Sequence, residues 1–118
     1  MADYVDAYVL AVPRDKLDAY RRMAENAGKI WREYGALDFV ECIADDVKRG
    51  KVTSFPQSVN LKEDEVVIFA YIVYPSREKR DEVNAKVMAD PRLDMDMKDM
   101  PFDGMRMFWG GFNVWVRI

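Results

Sequence analysis

Glu65–Tyr74 reads EVVIFAYIVY, and Pro75 follows it directly. Its even positions, Val66, Ile68, Ala70 and Ile72, are aliphatic; its odd positions, Val67, Phe69, Tyr71 and Val73, are apolar and on average broader. A strand sends successive side chains to opposite faces, so this strand needs cover on both. In a chain of 118 residues helices cover one face, and the expected cover for the other is a second copy of the protein. The stretch therefore predicts both a sheet and a homodimer.

Working outward from it, Tyr4–Val12 alternates as a strand, with Val5, Ala7, Val9 and Ala11 on one face and Tyr4, Asp6, Tyr8 and Leu10 on the other. Pro13 closes it. A helix is predicted from about Asp15, its N-cap, to Tyr34, where Leu17, Tyr20, Ala24, Ala27, Trp31 and Tyr34 recur at spacings of three and four. Gly35 stands where a C′ glycine belongs, and Gly28 inside the helix is read as a place of close packing on the sheet. Leu37–Asp45 is the second strand, with Val40, Cys42 and Ala44 opposite Leu37, Phe39, Glu41 and Ile43. An insertion at about 46–64 then breaks the pattern; its KVTSF run is read as a short edge strand or hairpin arm, and its length suggests a job such as reaching across a partner. Beyond the organising strand, Ser76 is the expected N-cap of a helix whose buried stripe is Val83, Val87 and Met88, ended by Asp90-Pro91. The Met-rich segment from Arg92 leads to a turn at Phe102-Asp103-Gly104 and a last strand, Met105–Ile118, with a kink or bulge at Gly110-Gly111.

The order strand, helix, strand, insertion, strand, helix, strand predicts one domain over residues 1–118. It is an α+β, ferredoxin-like βαββαβ antiparallel sheet with two helices on one face and the first and third strands central, paired into a dimeric α+β barrel.

Composition narrows the function. Half the residues are hydrophobic and 33% charged, as in a globular domain, and the net charge of −3 comes from mixed acids and bases, which argues against nucleic acid. No apolar run is long enough to span a bilayer, and the first residues lack the features of a signal peptide, so no membrane partner is expected and the expected location is the cytoplasm. The single cysteine, Cys42, agrees with that setting. With no histidine, the Ser-His-Asp and Cys-His nucleophile systems and histidine-ligated zinc or haem are excluded. No cofactor and no metal is expected.

In each strand the smaller aliphatic set is the expected seat of the helices. The remaining sets gather Tyr4, Asp6, Tyr8, Phe39, Glu41, Phe69, Tyr71, Trp109, Asn113 and Trp115. Such a face is too aromatic for water and too polar for an ordinary core. Either it glues two sheets together or it lines a partly polar cavity between them, one that takes a small aromatic or carbonyl compound. For the second reading the candidate ligand-binding residues are Tyr8, Tyr71 and Trp109, with Arg106 near the entrance. Asp6 and Glu41 are the candidate catalytic carboxyl groups, because aromatic surroundings raise a carboxyl pKa toward the range of a general acid or base. The alternatives are a metal- and haem-free enzyme of monooxygenase or isomerase type, a binding module, or a purely structural dimer.

Three separated blocks, FAYIVYPSREKR at Phe69–Arg80, NAKVMADPR at Asn84–Arg92 and DMPFDGMRMFWGGF at Asp99–Phe112, resemble the YbaA-like bacterial domains of unknown function. The likeness extends to Tyr4–Pro13 and to KVTSFPQ at Lys51–Gln57. The resemblance implies a dimeric α+β barrel, an architecture shared with cofactor-free monooxygenases, small isomerases and some haem proteins, and it carries over no catalytic residue.

Two further clusters have bland readings. Cys42, alternating with Val40 and Ala44, is expected to be buried and inert on the helix side. Met95, Met97, Met100, Met105 and Met107, interleaved with Asp94, Asp96 and Asp99, are read as adaptable packing or a lid rather than a soft-metal site.

Overall fold

In the computed structural model, which describes residues 3–93 and 100–118, the organising stretch forms strand β3 at Glu65–Tyr74. It pairs antiparallel along its whole length with β1, Tyr4–Pro13, so that Tyr4 lies opposite Tyr74 and Pro13 opposite Glu65. Strand β2, Asp38–Ile43, flanks β3, and β4, Phe108–Asn113, flanks β1, giving the order β2-β3-β1-β4. The two most apolar strands are central, as expected. The result is an α+β, ferredoxin-like sheet of four antiparallel strands.

Two helices lie on one face. Helix α1, Leu17–Tyr34, follows a 3₁₀ turn at Arg14–Lys16, so Asp15 falls within that turn and makes no side-chain cap. Its other end stops at Gly35, whose φ of 119° puts it in the left-handed region that glycine tolerates. No strand forms at the expected arm Lys51–Phe55; the short α2, Phe55–Ser58, begins at its last residue. Ser54 Oγ accepts from the Gln57 amide and Pro56 occupies the first turn, both of which favour a helix start over an extended arm. Helix α3, Arg77–Met88, begins at Ser76, whose hydroxyl accepts from the Lys79 amide, and it buries Val83 and Val87 but leaves Met88 exposed.

The helices meet the sheet through Ile30 and Trp31 of α1, Val83 and Val87 of α3, and Tyr4, Ile72 and Tyr74 of the central strands. Each fully buried aliphatic side chain here contributes roughly 1.5–3 kcal/mol. A second cluster, Leu10, Val12, Tyr20, Ala24, Ile68 and Phe102, continues the core toward the other end of α1.

The face assignment differs from expectation in three of the strands, β4 included, where Trp109 is the register partner of Tyr8 and lies on the helix side. In β3 the aliphatic set does face the helices, but in β1 that side carries Tyr4, Tyr8, Leu10 and Val12, and in β2 it carries Phe39. The smaller residues Val9 and Ala11 of β1, with Val67, are instead buried on the opposite face under Val59, with Ala44 and Leu61 alongside. The insertion thus folds back over one end of its own sheet. Cys42, whose register partner is Phe69, lies on that same face and is exposed, not buried beside the helices. The register of β4 against β1 runs unbroken from Val9–Phe108 to Tyr4–Asn113, so Gly110-Gly111 makes no bulge. Gly111 has another reason to lack a side chain: the Tyr4 hydroxyl and the Arg80 guanidinium lie over it. The last strand is also shorter than predicted, and Trp115 beyond it is 95% exposed.

Candidate functional site

At Gly28 of α1 the Phe39 ring fills the space of a missing side chain, and the backbone approaches closely. Tyr20 and Trp31 of the helix and Tyr8 and Trp109 of the sheet stand around the space beside this contact. A cavity of about 270 Å³ lies between the sheet and the two long helices.

Tyr8 of β1 and Trp109 of β4 form part of its floor, with ring centroids 5.9 Å apart and planes 20° from parallel. Phe39 and Glu41 enter from β2, Tyr20 and Trp31 from α1, and Asn84 from α3. Leu93, Met100, Phe102 and Met107 contribute from the segment before β4. Of the methionines grouped in the sequence, Met95 and Met97, like Asp94, Asp96 and Asp99, lie outside the described residues.

The polar groups of this wall are few and fixed. The Tyr20 hydroxyl donates to Glu41 Oε1 at 2.7 Å. Burial raises the Glu41 carboxyl above its ordinary range, and the Tyr20 hydrogen bond opposes that shift. Tyr8 is pushed up by burial and by the charges of Asp6 and Glu41, with Arg80 opposing, so its hydroxyl stays protonated and available as a donor. Asn84 Oδ1 accepts from Trp31 Nε1 and from the Tyr74 hydroxyl, each at 3.0 Å, which fixes the amide orientation. A second, open trough of about 1140 Å³ runs between α1 and β2, with Arg21, Glu25, Lys29 and Arg32 on its wall. Tyr20, Phe39 and Glu41 line both spaces, so the Glu41 carboxyl has a route to solvent from the inner cavity.

The sequence candidates are partly brought together here. Tyr8, Glu41 and Trp109 line one cavity, but on the helix side of the sheet rather than on the face expected to meet a partner. Tyr71 borders it from β3, while its ring sits with Phe69 on the opposite face at 6.1 Å between centroids. Asp6 is on the helix side and fully buried, with Arg80 Nη1 3.6 Å from Oδ1 and no hydrogen bond to either carboxyl oxygen among the described residues. Burial raises its pKa and the Arg80 charge opposes this. Arg80 also donates to the Tyr4 hydroxyl at 3.1 Å and lies over the Tyr4 ring. Arg106 is not at the cavity. It pairs with Glu65 at 2.5 Å and with Asp103 at 3.0 Å and donates to the Val59 and Asn60 carbonyls, which ties the insertion to the start of β3.

Sequence reasoning missed Tyr20, Trp31, Arg80 and Asn84. The first two belong to the apolar stripe of α1, whose spacing by itself signals only a buried face. Arg80 and Asn84 had a usable signal: with Val83 and Val87 they occupy the three- and four-residue spacing of the buried stripe of α3, where two polar side chains need partners.

The chain belongs to the family described as protein of unknown function (DUF1428), whose model matches residues 3–104. It is 54% identical over 110 residues to the uncharacterized protein YbaA of Escherichia coli strain K12, covering 93% of this chain and 94% of that one, and equally to YbaA of Shigella flexneri. Among solved structures it is similar to a NIPSNAP-family protein of unknown function from Agrobacterium tumefaciens, with a TM-score of 0.54 and 13% identity over 95% of this chain and 87% of that one. That likeness concerns the fold alone. None of the described helices is long and apolar enough to cross a membrane.

Proposed function

We propose that this member of the DUF1428 family is a cytoplasmic homodimer, each protomer of which binds a small, mainly apolar carbonyl or aromatic compound between its sheet and its helices. The observation that carries the reading is the cavity itself: aromatic and thioether walls around a few oriented polar groups, the usual make-up of a ligand site. Its volume is near the ~300 Å³ lower end for such sites, so the ligand is compact. The Tyr8 hydroxyl suits a carbonyl oxygen, and the Tyr8 and Trp109 rings suit a flat apolar body. The dimer is supported by the other face of the sheet, where Phe69, Phe108 and Phe112 are exposed beside the half-buried Val5, Tyr71 and Val73. A contiguous apolar face of that kind is expected to be covered in solution. The single cysteine supports a reducing setting.

The test is a thermal-shift and tryptophan-fluorescence titration with 2-indanone, a flat bicyclic ketone, with Trp31 and Trp109 as reporters in the wall. Binding is expected for the native protein and is expected to be lost in Ala24→Phe, which fills the cavity from α1. No binding by the native protein, or undiminished binding by the filled variant, would overturn this reading.

A further inference from the structure

We infer that Glu41 is a general base and acid that moves a proton at the carbon next to the carbonyl of the bound ligand, so that the protein interconverts keto and enol forms or shifts a double bond in a small ketone. This deepens the ligand-site reading and rests on it.

The geometry provides each part. Glu41 is one of the cavity-wall residues and Tyr20 holds one of its oxygens at 2.7 Å; among the described residues no hydrogen bond is made to the other. The Tyr8 hydroxyl on the floor of the same cavity can take the carbonyl oxygen. Phe39, Trp31, Trp109 and Met107 line the same cavity. The wall that Glu41 shares with the outer trough lets its proton exchange with solvent.

With a ketone in place, the ionised Glu41 removes the α-proton and the C–H electron pair becomes a C=C bond. The carbonyl π pair moves onto oxygen, where the Tyr8 hydrogen bond stabilises it. Protonated Glu41 then returns the proton to the same carbon, or to a conjugated γ-carbon, and the C=O bond re-forms. Nothing is oxidised or reduced, and no co-reactant is consumed.

The groups facing Glu41 are Tyr20 from α1 and Tyr8 from β1, and its register partner on β3 is Ala70; the trough wall from α1 also carries Asp18, Arg21, Glu25, Lys29, Arg32 and Glu33, of which Arg21 and Glu25 form an exposed pair. Rising pH ionises Glu41, so the rate of proton removal climbs through a pKa raised above the usual carboxylate range. Loss of the Tyr20 hydrogen bond, which favours the ionised form, moves that limb to higher pH.

The experiment measures α-hydrogen exchange of 2-indanone in D₂O by proton NMR, with binding followed separately by fluorescence. The native protein is expected to bind the ketone and to accelerate exchange over buffer. Glu41→Gln should still bind it but lose about 100-fold or more of the acceleration, and Glu41→Asp should recover part of it. Tyr20→Phe should shift the acid limb upward in pH. Binding without acceleration by the native protein, or equal acceleration by Glu41→Gln, overturns the catalytic assignment and leaves the ligand site standing. Absence of binding overturns the ligand site and this assignment with it.

Discussion

A β-carbon on Gly28 would lie 2.7 Å from Cδ1 of Phe39, so α1 and β2 meet through the absence of one side chain and the presence of another. This contact fixes which face of β2 looks at the helices, and so brings Glu41, two residues on, to the same side. Gly28→Ala gains up to about 1 kcal/mol of helix propensity, but it forces the ring to shift at a cost of roughly 1–3 kcal/mol. A net loss of about 1 kcal/mol is expected in urea unfolding, with weaker ligand binding as Glu41 moves. A more stable variant would show that the ring relaxes freely.

Asp6→Asn should change how stability depends on pH. The folded-state pKa of Asp6 is raised by burial, against the opposing Arg80 charge. The stability it contributes is therefore full below its unfolded pKa and is lost as pH rises through the folded one. The amide lacks this loss. In melts between about pH 4 and about pH 8, the melting temperature of the variant relative to the native protein should rise with pH by a few degrees. The paired acids Glu65, Glu33 and Asp90, whose pKa values are lowered chiefly by their arginine partners, act in both proteins and cancel in the difference. A pH-independent difference would assign no ionisation cost to Asp6.

Arg106→Ala removes the cation from Glu65, which is buried at 4% exposure, and releases the Val59 and Asn60 carbonyls. The expected loss is roughly 2–3 kcal/mol. Since the Arg106 hydrogen bonds lower the Glu65 pKa, their contribution is present above the unfolded pKa and disappears as pH falls through the folded one. The gap between native protein and variant should therefore narrow in acid. Cleavage by a protease within residues 46–64 should also become faster, because the insertion loses its tie to β3; unchanged cleavage would mean that its apolar contacts suffice to hold it.

Phe69→Lys tests the outer face. Phe69 is 36% exposed in the single chain, so a lysine there reaches water without unfolding the protomer. In a dimer formed through that face it would be buried without a partner, at a cost of several kcal/mol. Light scattering of the native protein should give twice the 13.8 kDa chain mass, and the variant should give the chain mass with a well-folded spectrum. A native protein that scatters as a monomer rules the dimer out.

Elements whose cause is local could be read from the chain alone. The run at Glu65–Tyr74 became β3 with both ends as read, because unbroken apolar alternation bounded by Pro75 leaves the backbone little choice. Ser76 and Gly35 marked helix ends through their own backbone chemistry, and the central placement of β1 and β3 followed from their apolar content. Parity within each strand was also legible and kept Tyr8, Glu41 and Trp109 together, although Phe69 and Tyr71, read as part of the same group, lie on the opposite face. Which side of the sheet that group would face was decided only in three dimensions. Small residues suit a helix or a close-packed loop equally well, and the insertion supplied Val59 and Leu61 to cover Val9 and Ala11. The bulky set then fell to the helices, where Gly28 makes room for Phe39 and Trp31 finds acceptors in Tyr74 and Asn84. Burial is a property of two surfaces that meet, and a single strand's pattern describes only one of them.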